Sequence, residues 1–295
     1  MLSFKVEDLQ PAQVQNYLYY AVAPRPICFA STVDKEGNVN LSPFSFFNLF
    51  SINPPICIFS PVTRMRDNST KHTLDNVLEV KECVINIVNY AMVQQMSLAS
   101  TEYGKGINEF EKAGFTMAPS TLVKPPRVLE APVQLECRIK EVVKLGDQKG
   151  AGNLVIAEVV VIHVQEDILD DKGNIDQQKI DLVARLGGNW YARITPESLF
   201  EVEKPLRTLG IGVDALPKSV RLSMVLSGND LGRLGNLETL PTAEEIDQSM
   251  HLPAVKEILD ATIGDAKTRE IELHTLAKRL ILSGNIKDAL TVILL

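Results

Sequence analysis

The sequence predicts a mainly β protein: an antiparallel barrel with flanking helices over residues 1–203, followed by a mostly helical extension over residues 204–295. Three observations carry that expectation. Runs rich in Val, Ile and Phe, bounded by Pro, Gly or Asp, recur through the first two hundred residues. Helical patches fall between them irregularly, and no Gly-x-Gly-x-x-Gly stands between a strand and a helix, so a doubly wound parallel sheet is disfavoured. After residue 203 the strand pattern gives way to apolar stripes at helical spacing.

Taken in order, PICFASTVD, the turn KEGN and VNLSPFSFF read as a hairpin, with Gly37 and Asn38 supplying the turn. ICIFSP, ECVINIV, VQLECRIKEVVKLG and NLVIAEVVVIHVQ are further strands. KHTLDNVLE reads as a helix because Leu74, Val77 and Leu78 share a face, and NYAMVQQMSLAS as another starting near Asn89. EKPLRTLGIGVDALP is a Pro- and Gly-punctuated connector. The glycines of SGNDLGRLGN read as solvent turns. LPTAEEIDQSMH carries a capping box, Thr242 with Glu245, and LPAVKEILDA follows it. TREIELHTLAKRLILSG places Leu273, Leu276 and Leu280 on one face and ends at Gly284, before a last segment, NIKDALTVILL. No one of these helices is long enough to stand alone, so the extension is expected to pack on the barrel or on a partner subunit.

A net charge of −7 argues against a nucleic-acid or anionic membrane surface, which needs a basic excess. No run approaches the roughly 18 apolar residues of a membrane helix, and MLSFKVEDLQ has no secretory pattern, so a cytoplasmic location is expected. Cys28, Cys57, Cys83 and Cys137 each sit in an apolar, strand-like setting without a CxxC pair, as buried reduced thiols do. The four histidines form no metal-binding motif, so no metal site is expected.

Residues 40–61, NLSPFSFFNLFSINPPICIFSP, place Ser42, Ser45 and Asn48 at intervals of three among phenylalanines. Either the hydroxyls cap a turn while the rings enter the core, or the stretch forms a wall for something flat and apolar with polar edges. Beyond Ser60, TRMRDNSTKHT gathers Arg64, Arg66, Lys71, Ser69, Thr70 and Thr73 ahead of a helix. Cations interleaved with hydroxyls at a helix start suit a phosphate dianion, through charge-assisted donors and backbone amides. A flat ring system beside a phosphate describes flavin mononucleotide.

At these residues the chain resembles the flavin reductase-like family with the FMN-binding split barrel, which includes the flavoredoxins. PRPICFASTVDKEGNVNLSPFSFFNLFSINPPICIFSP, KHTLDNV, ECVINIVN, NEFEKAGFT, LEAPVQLECRI, NLVIAEVVVIHV and RLGGNWYAR carry the resemblance in order, over about residues 10 to 200. It implies an antiparallel six-stranded split barrel of Greek-key type, a homodimer, and a flavin near the subunit interface. By position, Ser42, Pro43, Phe44, Ser45 and Phe46 are expected to line the isoalloxazine, and Ser60, Arg66, Lys71 and Thr73 to hold the phosphate. FMN is expected in preference to FAD, with NAD(P)H as donor and a monooxygenase or other electron-accepting protein as partner. The alternative is a flavoredoxin-like carrier without efficient NAD(P)H use. The family's Lys-Asp-Thr reads Lys71-His72-Thr73 here. Tyr191, after Gly187 and Gly188, is expected near the flavin or the dimer contact. His163 and Trp190 each have two readings, ligand contact or core and interface residue. Hydride transfer needs no general base from the protein, so no catalytic residue is assigned.

Overall fold

The structure, a computed structural model, describes residues 1–295 with the exception of residue 203. The chain divides into two compact units, Met1–Phe200 and Glu201–Leu295.

In the first unit, helix α1 (Pro11–Ala21) precedes the strands β1 (Cys28–Val33), β2 (Val39–Phe44), β3 (Phe47–Ile52) and β4 (Pro55–Phe59). Helix α2 (His72–Val80), strand β5 (Glu82–Ile87) and the short helices α3 (Val93–Leu98) and α4 (Glu109–Ala113) follow. The pair β6 (Met117–Ala118) and β7 (Arg127–Val128) leads to the long strands β8 (Val133–Lys144) and β9 (Asn153–Val164). A small ribbon, β10 (Val183–Arg185) with β11 (Tyr191–Arg193), completes the unit.

The principal sheet has seven strands in the order β2-β1-β5-β8-β9-β4-β3, one more than the family resemblance implies. Every pairing in it is antiparallel. Its two edge strands, β2 and β3, are joined by only Ser45 and Phe46. The three Cα–Cα steps from Phe44 to Phe47 span at most about 11 Å, so the edges come together there and the sheet closes on itself. The seam between them is held by this link and not by a ladder, which makes the barrel split. The first hairpin forms as the turn residues dictate, with Gly37 at φ +88° and Asp34 accepting from the Asn38 amide at 2.8 Å.

Inside the barrel, Phe44, Phe59 and all four cysteines pack in one core. Outside it, α3 and α4 cover Phe29, Leu41 and Val88 in a second core that includes the fully buried Phe110. Buried Glu109 ties α4 to β2 by accepting from the Leu41 amide at 2.9 Å. Alternation holds along β9, where Val155, Ala157 and Val159 point inward and the intervening residues are half-buried. Helix α1 buries no residue, which is why no apolar stripe announced it; Pro11 at its first position starts it.

In the second unit the helices are α5 (Lys218–Arg221), α6 (Gly228–Gly235), α7 (Ala243–Ser249), α8 (Pro253–Ala261), α9 (Ala266–Leu282) and α10 (Ile286–Ile293). Their stripes meet one another: Leu234, Ala277, Ile281 and Leu290 form one core, and Val255, Leu273 and Val292 another. The segment SGNDLGRLGN is helix α6, not a set of turns. Ser227 and Asp230 cap it reciprocally, with the carboxylate accepting from the Ser227 amide and hydroxyl at 2.8 Å, and Leu234 is fully buried. Cap and burial together outweigh the roughly 1 kcal/mol that each glycine costs. The Thr242–Glu245 capping box forms as expected. No helix among the described residues is long and apolar enough to cross a membrane.

Candidate flavin site

Phe44 is where the two halves of the expected site meet. Its ring belongs to the barrel core and lies 5.5 Å from Phe59, while Lys71 Nζ stands 5.7 Å from its centroid. A cavity of about 610 Å³ opens against Pro43, Phe44 and Ser45. Phe47 also packs on the core, whereas Phe46 is exposed and meets Tyr19 edge-on at 5.5 Å. The rings therefore divide, some building the core and some facing outward. Ser42 is half-buried on β2, opposite Ala30, and neither it nor Phe46 lines the cavity.

Arg25, only 7% exposed, fixes the turn after Phe44. Its guanidinium donates to the carbonyls of Tyr19 and Val22 at 2.7 Å, to Leu186 at 2.9 Å and to Ser45 Oγ at 3.4 Å. Burial lowers its pKa, the adjacent Tyr19 opposes that, and Arg185 adds to the lowering.

The cavity is completed by Tyr90, by Gln94 and Ser97 of α3, and by Arg185, Tyr191 and Arg193 of the ribbon. Two arginines and no carboxylate line it, in a chain of net charge −7. They are not equivalent. Arg193 lies 3.8 Å over Tyr90 and is held by Asp181 at 2.8 and 2.9 Å. Arg185 stacks 4.6 Å over Tyr191 and donates to the Trp190 carbonyl at 2.9 Å, and it has no carboxylate partner among the described residues. The Trp190 side chain is 71% exposed. Gly187 lies under Tyr20 of α1, and a Cβ there would come 2.4 Å from the ring. Gly187→Ala is expected to cost about 1–3 kcal/mol in thermal unfolding, with partial recovery when Tyr20 is also Ala.

The basic segment wraps the start of β9. Ser60 is buried, its amide donates to the Phe46 carbonyl at 2.8 Å, and its hydroxyl lies beside Gly152. Thr73 is buried at the start of α2 and accepts from Asn40 Nδ2 at 2.9 Å. The ammonium of Lys71, at the N-cap of α2, makes no hydrogen bond or ion pair among the described residues. Burial lowers its pKa, neighbouring Arg64 lowers it further, and Glu102 partly offsets both. Arg66 is exposed and paired, to Asp67 at 3.1 Å and to Glu102 at 2.6 Å. A carboxylate does stand in the first turn of α2, Asp75, but it accepts from Thr70 Oγ1 at 2.8 Å.

Of the nine residues assigned from sequence, then, Pro43, Phe44 and Ser45 line the cavity, and the Lys71 ammonium, unpaired among the described residues, lies 5.7 Å from the Phe44 ring centroid. Ser60 and Thr73 lie buried nearby in the fold, and Arg66 is engaged with carboxylates. Sequence reasoning missed Arg25, Arg185, Arg193 and Glu102. The two prolines around Arg25 and the two arginines around GGNWY were the available signals.

His163 has one settled contact. Its Nε2 donates to Glu136 at 2.7 Å, and Glu136 is fully buried on β8 and also accepts from the amides of Thr121 and Leu122 at 2.6 Å. Burial opposes the Glu136 charge, but these three donors outweigh it and hold the carboxyl below its ordinary value. Among the described residues no group of His, Cys, Asp and Glu is placed to hold a metal ion.

Residues 20–179 match the flavin reductase like domain. The chain belongs to the flavin reductase-like family. An uncharacterized protein of Aquifex aeolicus is 35% identical over 201 residues, which is 68% of this chain and all of the relative. Among solved structures, nitrilotriacetate monooxygenase component B from Bacillus cereus is similar at 29% identity and TM-score 0.64, over 68% of this chain and 98% of that one. The 2-nitrobenzoate 2-nitroreductase of Pseudomonas fluorescens follows at 26% identity and TM-score 0.60, over 71% of this chain and all of the other. This family member has the split barrel that the strand order requires, and its chemistry is flavin-related oxidoreduction.

Proposed function

We propose that the barrel binds FMN and works as an NAD(P)H:flavin oxidoreductase that passes reduced flavin or electrons to an acceptor protein. The observation that carries this reading is that Phe44 both lines the cavity and has the Lys71 ammonium, unpaired among the described residues, 5.7 Å from its ring centroid. The isoalloxazine would lie against Pro43, Phe44 and Ser45, with Ser42 and Phe46 bordering that wall. The phosphate would take Lys71, the hydroxyls of Ser60 and Thr73, and Arg66 once freed from its carboxylates. A terminal phosphate on these donors favours FMN over FAD. Bound there, flavin supplies the hydride-accepting ring, and the protein supplies position, electrostatics and exclusion of water. Arg25 holds the wall in place through Ser45, and the cationic cavity gives an anionic nicotinamide donor a way to the ring. A monooxygenase as acceptor is supported by the similarity to a protein named as a monooxygenase component.

Two further readings accompany it. A homodimer is supported by β3, a sheet edge on which Leu49, Phe50 and Ile52 are 51%, 63% and 76% exposed. A reducing, cytoplasmic compartment suits four cysteines that are buried and unpaired.

The test is spectroscopic. Protein reconstituted with FMN is expected to be yellow, to bind FMN more tightly than riboflavin or FAD, and to bleach when NADH or NADPH is added without oxygen. Bleaching only with a reduced protein donor would favour the electron carrier, and failure to retain any flavin would refute both.

A further inference from the structure

The basic segment is not waiting empty. Glu102, in the connection between α3 and α4, reaches back to it and places one carboxylate oxygen 3.2 Å from Arg64 Nε and the other 2.6 Å from an Arg66 terminal nitrogen. Glu102 is also close enough to Lys71 to bear on its pKa. One carboxylate thus engages two of the segment's cations and influences the third.

Those cations differ in what else they hold. The Arg64 side chain is 15% exposed and is also fixed by the Ser69 hydroxyl at 3.1 Å and by the Thr70 carbonyl. Arg66 is 66% exposed and has Asp67 as its other partner. Lys71 has none among the described residues. A carboxylate and a phosphate compete for the same guanidinium N–H donors, and Glu102 takes one donor from each arginine. The Glu102 side chain is itself 44% exposed and holds no partner other than these arginines among the described residues, so displacing it disturbs no core.

We propose that Glu102 is a resident competitor for the phosphate of the flavin, and that its displacement keeps bound FMN exchangeable. This rests on the phosphate reading given above. When FMN enters, its phosphate takes the oxygen position on Arg66 that Glu102 occupies, Arg64 loses the same carboxylate, and Glu102 returns to water. When FMN leaves, Glu102 closes on the arginines again and neutralises cations that would otherwise repel one another. The dianion therefore gains less than the same cations would give it unopposed. Flavin without a phosphate does not meet Glu102 at all. A site built this way holds flavin as a diffusible substrate that can leave reduced, which is what delivery to a second protein requires.

Glu102→Gln, compared with the unaltered chain by FMN and riboflavin titration, tests the proposal. The variant is expected to bind FMN about five- to tenfold more tightly and to release it more slowly by a similar factor, with riboflavin affinity unchanged. Unchanged riboflavin affinity also shows that the variant is folded. Unchanged or weaker FMN binding would overturn the proposal, because Glu102 would then only be positioning the arginines. If the unaltered chain itself holds FMN no better than riboflavin, the phosphate is not on these cations, and the reading and the proposal fall together. A second measurement needs no variant. Amide exchange across residues 101–106 is expected to quicken on saturation with FMN and not with riboflavin, and an identical response to both would contradict displacement.

Discussion

Replacing Lys71 by alanine weakens FMN binding by about 1.5–3 kcal/mol, roughly ten- to 150-fold, and leaves riboflavin binding unchanged. The size follows from the state of the ammonium. It is part-buried against the Phe44 ring and unpaired among the described residues, so a phosphate would be its one strong partner. Arg66 and Arg64 can compensate only in part, because each already holds a carboxylate. The pH dependence has a definite sign. Burial and Arg64 lower the Lys71 pKa in the free protein, so its charge is lost at a lower pH than an ordinary lysine's. FMN affinity should then decline on the alkaline side earlier than phosphate binding to an exposed lysine would, and Lys71→Ala should abolish that decline. Equal losses for FMN and riboflavin would mean that the substitution disturbs the fold, not the phosphate.

Glu136→Ala is expected to cost the barrel about 3–5 kcal/mol, the scale for removing one partner of a fully buried charged network. For a unit of this size that lowers the unfolding temperature by roughly 6–20 °C. The substitution strands the amides of Thr121 and Leu122 and the His163 ring, and it leaves a cavity beside the long β8–β9 pair. The network also predicts acid sensitivity. The folded carboxyl titrates below the roughly 4.3 of an unfolded chain, so its contribution is complete above that pH and is lost as the pH falls through the folded value. Denaturant unfolding of both proteins from pH 7 to 3 checks this. The difference between them should shrink toward acid, and a constant difference would point to packing alone.

Local chemistry was legible in the sequence, and meetings between distant segments were not. The first hairpin, α2, and the capping box of α7 declare themselves within ten residues, because turn geometry and cap hydrogen bonds are made by neighbours. The wall at Pro43, Phe44 and Ser45 was legible for the same reason: hydroxyls and rings alternate within one short stretch. Helix α6 was misread because its glycines weigh against a helix locally, while Leu234 gains its burial against α9 and α10. The cavity joins residues near 44, 90–97 and 183–193, and no pattern within any one of them indicates that they meet. Glu102 gave no signal at all. An isolated glutamate in a polar loop has nothing in its own neighbourhood to say that it answers two arginines nearly forty residues earlier.

The seam of the barrel gives these parts a mechanical character. Along β8 and β9 the sheet is braced by a long ladder that runs from Val133 opposite Val164 to Lys144 opposite Asn153 with two register shifts, whereas β2 and β3 are tethered only through Ser45 and Phe46. Spreading β2 from β3 breaks no ladder bond, while spreading any other pair of strands breaks several. The barrel is thus stiff around most of its circumference and compliant along one line. That line runs through the wall proposed for the flavin, so the surface that must fit a ring in two oxidation states lies where the protein can change shape at the lowest elastic cost.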